Sequence, residues 1–83
     1  MTVPRISDVK IKGDLLLDVV FDDGAVKEFD VAPYVRDFEM FKPLENSTLF
    51  KTVHVDVGGM GLVWNSAIDL SRYDVWELGV DVR

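Results

Sequence analysis

The sequence predicts an α+β fold: an antiparallel three-stranded β-meander, a short helix, a second β-hairpin and a short C-terminal helix. Three observations predict it. Apolar and polar residues alternate in the first third of the chain, which is the period of half-buried strands. Two turn signals, Gly13-Asp14 and Asp22-Asp23-Gly24, interrupt this alternation. Beyond residue 31, Pro residues, capping residues and a Gly-rich turn break the chain into short elements.

The meander is expected over residues 5–12, 15–21 and 25–31. In the first strand, Val9 and Ile11 share the inner face. The second strand carries apolar residues on both sides of Asp18, so we expect it to be central and covered on both faces. In the third strand, Phe29 and Val31 point inward.

The middle of the chain is expected to hold short helical pieces. Pro33 has no N–H for a sheet ladder, so it ends the meander and leads into one short turn of helix. Residues 38–44 are predicted to be a loop rich in large apolar side chains, in which Pro43 prevents a long helix. Asn46 and Ser47 are expected to cap a short helix over 48–52.

A second hairpin follows. Val53, Val55 and Val57 alternate with polar residues and predict a fourth strand. Residues 58–61 predict a flexible glycine turn, after which residues 62–64 begin a fifth strand.

Ser71 is the expected N-cap of the C-terminal helix, and Gly79 is its expected end. The tail over 80–83 either frays or adds an edge strand. With no linker or change of composition, the expected organisation is one domain over residues 1–83.

Composition excludes several functions. The chain has no cysteine, which rules out disulfides, Cys-ligated zinc and thiol catalysis. The formal net charge is −6, which argues against direct binding of nucleic acid or of an anionic membrane. The N-terminus has no signal-peptide pattern and no apolar run is long enough to span a bilayer, so we expect a cytoplasmic protein.

The residues that could carry chemistry are few. His54 is the only histidine, and Asp56 shares its strand face. One histidine without cysteine is too few ligands for a typical zinc site. The Gly58–Gly61 turn lacks the Lys-Ser/Thr and the following helix of a phosphate loop. We therefore predict no catalytic residue, no cofactor and no metal, and we interpret the acidic clusters as a solvated face.

Four aromatic residues are more informative: Trp64, Trp76, Tyr34 and Tyr73. Tyr and Trp are favoured where an apolar body is buried and a polar edge stays wet, as in protein interfaces. The alternative is that the two tryptophans complete the core of a small domain.

The order of several short motifs resembles a known bacterial family. Residues 64–71 read WNSAIDLS and residues 75–79 read VWELG. In the first half, FDDG at 21–24, FDV at 29–31, PYV at 33–35, FKPL at 41–44 and LFK at 49–51 also fit. Together they resemble the family called domain of unknown function 2442.

This resemblance implies a small α+β protein without an established enzymatic activity. It also implies a gene that lies beside another small gene, as in toxin–antitoxin pairs. It assigns no catalytic residue. Trp64, Asn65, Asp69, Trp76 and Tyr34 are the expected contact or fold-signature residues. Asn65 and Asp69 can hydrogen-bond the backbone of the turn after the fifth strand, and Trp76 can cover the meander.

Three functions remain open from the sequence. The first is a non-enzymatic protein-interaction module, antitoxin-like, that presents an acidic and aromatic surface to a small basic protein. The second is a small ligand-binding or hydrolytic domain that uses His54 and nearby carboxylates. The third is a self-associating structural domain, such as a homodimer, that pairs through an edge strand or the tryptophan region.

Overall fold

The fold is described for residues 2–82 in a computed structural model. Within this range the chain forms seven strands, three α-helices and two 3-10 helices. In chain order these are β1 (Ile6–Gly13), β2 (Leu16–Phe21), β3 (Val26–Asp30), α1 (Ala32–Asp37), the first 3-10 helix (Glu39–Glu45), α2 (Ser47–Phe50), β4 (His54–Val55), the second 3-10 helix (Val57–Gly59), β5 (Gly61–Asn65), β6 (Ile68–Ser71), α3 (Arg72–Leu78) and β7 (Val80–Asp81).

The predicted α+β class and the antiparallel meander are confirmed. β1, β2 and β3 pair in sequence order, and β7 adds a fourth strand beside β3. Leu17 lies opposite Phe29 in the register of β2 and β3, and both side chains are fully buried. Val19 and Phe21 continue the same inner face. The alternation of β2 therefore places its largest side chains in the core.

The inner face predicted for β1 is confirmed, since Val9 pairs with buried Val19 and Ile11 with buried Leu17. Ile6 is buried and Val9 packs against the core, but Ile11 is 41% exposed. The pairing of β1 with β2 shifts between Ile6 and Asp8 and again between Ile11 and Gly13. The first shift lets Ile6 and Val9, an odd number of residues apart, both face the core. Ile11 keeps the inner face but lies near the end of an edge strand, where less of the fold covers it.

The second sheet has three strands in the order β4-β5-β6, all antiparallel. The predicted hairpin is therefore extended by β6, where Ile68 and Leu70 are buried and Asp69 and Ser71 face outward. The sequence prediction left residues 68–70 unassigned because this apolar stretch is short and runs directly into a helix cap.

Val57 is a correction to the predicted fourth strand. β4 ends at Val55, and Val57 is 89% exposed in the second 3-10 helix. The Asp56 carboxylate accepts a hydrogen bond from the Val57 N–H, and Gly58 adopts a φ of 72°. This capped, left-handed turn ends the alternation before Val57 can point inward.

Within the glycine turn, Gly59 packs closely against β1. Gly59 has a φ of 71°, and a Cβ at this position would overlap the Ile6 carbonyl oxygen. Only glycine fits both the backbone conformation and this close approach to β1. The turn therefore joins the two sheets.

The segment after α1 is more regular than predicted. Residues 39–45 form a 3-10 helix that includes Pro43 and buries Phe41 and Leu44. The next helix begins as predicted, since the Asn46 side chain accepts hydrogen bonds from the backbone N–H groups of Thr48 and Leu49.

The C-terminal helix has the predicted ends. The Ser71 hydroxyl accepts a hydrogen bond from the Tyr73 N–H, and the Gly79 N–H donates to the Val75 carbonyl. The tail then adds the edge strand β7, which was one of the two predicted outcomes, although Arg83 lies outside the described residues. Among the helices of residues 2–82, none has the length and apolar character needed to cross a bilayer.

Candidate functional site

A groove of about 460 Å³ lies between α1, the first 3-10 helix, β6 and the start of α3. Its lining combines apolar and acidic side chains. The lining residues are Tyr34, Phe38, Glu39, Met40, Phe41, Asp69, Leu70, Ser71 and Asp74. The groove is therefore assembled from two stretches of the chain, residues 34–41 and 69–74, that are distant in the sequence.

The apolar wall of the groove is formed by the junction between α1 and the first 3-10 helix. Phe38 is the residue that ends α1, and its extended backbone separates the two helices. At this junction Phe41 turns into the core, while Phe38 and Met40 remain 54% and 49% exposed. Two large apolar side chains are thus left at the mouth of a concave surface, which is typical of an interaction site.

The rim of the groove is acidic. Asp69 points outward from β6 because its neighbours Ile68 and Leu70 take the buried positions. Asp74 stands in the first turn of α3, and Glu39 in the first turn of the 3-10 helix. Within the described part of the chain, the residues that line the groove include no Lys or Arg. The groove lining thus combines apolar side chains with three carboxylates.

Tyr34 is the centre of the aromatic wall. Its ring centroid lies 5.1 Å from that of Phe41, 5.6 Å from that of Phe38 and 5.7 Å from that of Phe29. Partial burial raises the pKa of the Tyr34 phenol above its usual value, and the negative charge of Asp74 raises it further. Both effects favour the neutral phenol over the phenolate.

The two tryptophans have different surroundings. Trp64 is 3% exposed, and its indole Nε1 donates to the Phe50 carbonyl oxygen at 3.1 Å. Trp76 is partly buried; its ring meets Phe21 edge-on at 4.9 Å, and the Lys27 Nζ lies 4.4 Å from the ring centroid. Trp76 therefore packs against the meander from α3, and Trp64 is a core residue.

Asn65 and Asp69, the two polar residues of the predicted signature, also have different surroundings. The Asn65 side-chain oxygen accepts hydrogen bonds from the backbone N–H groups of Ala67 and Ile68, at 2.9 and 3.0 Å, and so holds the β5–β6 turn. Asp69, for which the same role was expected, is directed to the groove. Of the five signature residues, the structure brings together Tyr34 and Asp69.

His54 lies on exposed β4, away from the groove lining. Its Nδ1 is 3.0 Å from the Thr52 carbonyl oxygen. The carboxylate of Asp56 is engaged with the Val57 N–H. Within residues 2–82, the His, Asp and Glu side chains form no group of three or more that could hold a metal ion.

The sequence does not single out Phe38 and Met40 as contact residues, and it places Asp74 only in an acidic cluster with Asp69 that is interpreted as a solvated face. The sequence did contain a signal for the exposure of Phe38 and Met40. Several large apolar side chains occur together near a proline and follow no helix or strand period, which indicates that the core does not hold all of them. Nothing in the sequence connected them to Asp69 or Asp74, since β6 was not predicted.

The fold and the groove define a small α+β protein with an apolar, acid-rimmed surface. The chain belongs to the DUF2442 family, a family of proteins of unknown function, whose model matches residues 6–81. The resemblance in the sequence motifs is thereby confirmed. Comparison with curated proteins and with solved structures gave no match.

Proposed function

We propose that this chain is a protein-interaction module that binds a small basic protein in the acid-rimmed groove, as an antitoxin-like partner of a neighbouring gene's product. The observation that carries the proposal is the juxtaposition of exposed Phe38 and Met40 with Asp69, Asp74 and Glu39. Apolar anchors supply binding energy when they leave water, and a rim of one charge selects the partner and accelerates its approach.

The charge of the chain supports this role. The formal net charge of −6 extends the negative field beyond the groove, so a basic partner is attracted from a distance. The small size supports it as well. A chain of 83 residues gains stability when a partner covers apolar surface that its own core leaves exposed.

The proposal is tested by co-expressing this chain with the product of the adjacent gene, followed by size-exclusion chromatography at micromolar concentration. We expect co-elution for the wild type and separate elution for Met40→Ser. We also expect the double variant Asp69→Asn/Asp74→Asn to weaken the complex, because it removes two rim charges and leaves the apolar wall unchanged.

The matched control is Asp22→Asn/Glu45→Gln, which removes the same number of charges from exposed positions that do not line the groove. Its complex should survive, and 0.5 M salt should weaken the wild-type complex by screening the rim charges. Separate elution of the two wild-type proteins, or equal effects of both double variants, would contradict the proposal.

A further inference from the structure

Tyr34 lines a second cavity in addition to the groove. A second cleft, of about 320 Å³, is lined by Tyr34 and by residues from β3, the start of α1, the end of α3 and β7. These other lining residues are Glu28, Phe29, Asp30, Pro33, Leu78 and Val80. Tyr34 thus forms a ridge between two cavities.

The ridge is held rigidly by aromatic packing from both sides. The Tyr34 ring packs on Phe29, which lines the cleft, and on Phe38 and Phe41, which line the groove. Pro33, one residue earlier, fixes the backbone φ at the start of α1. A ridge fixed in this way separates two binding positions at a constant spacing.

The exposed apolar side chains of the molecule concentrate around this ridge. Eight large apolar side chains among the described residues are exposed, and four of them line the two cavities. Phe38 and Met40 stand on one side, while Leu78 and Val80, exposed by 62% and 65%, stand on the other. Exposed apolar side chains grouped around one residue mark an interaction site more strongly than isolated side chains do.

The charge has the same sign on both sides of the ridge. Asp30 and Glu28 line the cleft, as Asp69 and Asp74 line the groove, and the described lining residues of the cleft also include no Lys or Arg. Lys12 forms an ion pair with Glu28, which offsets that one charge. The Asp30 carboxylate lies at the edge of the cleft and accepts a hydrogen bond from the Ala32 N–H.

We propose that both cavities bind one continuous segment of the basic partner, which straddles Tyr34 with an apolar side chain in each cavity and basic residues beside them. This inference rests on the proposed function and adds the recognition pattern: two apolar anchors at a fixed separation. The partner must therefore present a segment that carries two apolar side chains with basic residues beside them. A single cationic side chain would not be sufficient.

The test begins with a displayed library of random 12-residue peptides, selected on the full chain. We expect enriched peptides to contain two apolar positions at a constant separation together with Lys or Arg. The affinity of one enriched, fluorescein-labelled peptide is then measured by fluorescence anisotropy. Phe38→Ser and Leu78→Ser should each weaken binding about tenfold, because each removes an anchor contact in a different cavity.

The matched control is Val57→Ser, which removes an exposed apolar side chain on the distant glycine turn and should change the affinity less than about twofold. Met40→Ser and Val80→Ser repeat the test at a second position in each cavity, and circular dichroism confirms the folding of every variant. If a variant unfolds near the assay temperature, the second variant in the same cavity replaces it: Met40→Ser replaces Phe38→Ser, and Val80→Ser replaces Leu78→Ser.

The outcomes separate the two proposals. Loss of affinity in the groove variants alone would overturn the two-cavity inference and leave the proposed function standing. Unchanged affinity in all four cavity variants would overturn both. Enrichment of acidic peptides would also overturn both, because the acidic rim would repel them. A wild-type dimer in sedimentation equilibrium that Leu78→Ser abolishes would assign the cleft to a second copy and overturn the inference.

Discussion

The inner face of the four-stranded sheet and the groove contain similar residues but differ in what covers them. On the sheet, Leu17, Val19 and Phe29 are at most 1% exposed, and their strands β2 and β3 are the two inner strands of the sheet. In the groove, Phe38 and Met40 are about half exposed, and carboxylates surround them. Apolar side chains of the first region stabilise the fold, whereas those of the second are available to a partner.

This difference gives the two regions different responses to substitution. Truncation of a core side chain removes buried contacts and leaves a cavity, so the free energy of unfolding falls. Truncation of a groove side chain removes surface that water already covers, so the free energy of unfolding changes little.

The largest effect is expected for Phe29→Ala. Phe29 is 1% exposed and packs against the Tyr34 ring, so its removal should lower the free energy of unfolding by about 3–5 kcal/mol. Urea denaturation followed by tryptophan fluorescence measures this loss. Phe29→Leu is the control and should retain much of the stability; a loss below 1 kcal/mol for Phe29→Ala would show that the sheet face is not the main core.

A loss of about 1–3 kcal/mol is expected for Gly59→Ala, which tests the joint between the two sheets. The added methyl group must displace the Ile6 carbonyl and the residue must keep a positive φ. Thermal unfolding of Gly59→Ala is compared with that of Gly24→Ala, which also has a positive φ but open space around the new methyl group. Equal losses for the two variants would mean that close packing on β1 contributes nothing.

A smaller loss, about 1 kcal/mol, is expected for Asn65→Ala. The variant leaves the Ala67 and Ile68 N–H groups without their side-chain acceptor at the β5–β6 turn. Asn65→Asp retains an acceptor oxygen and should recover most of the stability. If both substitutions had the same effect in urea denaturation, the turn would not depend on this hydrogen bond.

The smallest effect concerns ionisation of Tyr34. Its pKa is raised by burial and by Asp74, so the stability linked to this phenol is complete below the ordinary tyrosine pKa and is lost as the pH rises through the folded-state value. In a Tyr73→Phe background, Tyr34 is the only tyrosine, and tyrosinate absorbance at 295 nm reports its titration. Asp74→Asn should lower the pKa slightly, since burial is the larger cause; an increase would contradict the assigned geometry.

Much of the fold could be predicted from local patterns. The alternation in β2, the turn at residues 22–24 and the caps at Asn46 and Ser71 are decided by neighbouring residues, and the sequence displays them directly. Val57 is placed wrongly because a capped, left-handed turn ends β4 before it. The exposure of Ile11 follows from the position of β1 at the edge of the sheet, which no local pattern records.

The groove could be predicted only in part. The sequence indicated an acidic and aromatic surface and named Tyr34 and Asp69, but it did not place them together. Their proximity depends on β6 pairing with β5 and on α1 packing beside it, both of which are tertiary arrangements. Burial likewise separates Trp64 from Trp76, although both were equal candidates as contact residues.

The central claim is that the exposed apolar side chains of the groove contribute to partner binding and not to the stability of the fold. Met40→Ser tests this claim most directly. The free energy of unfolding in urea and the affinity for the co-expressed partner are measured on the same protein sample. We predict a change in stability within about 0.5 kcal/mol and a loss of affinity of about tenfold. A loss of stability above about 2 kcal/mol with unchanged affinity would instead make Met40 a core residue and contradict the account.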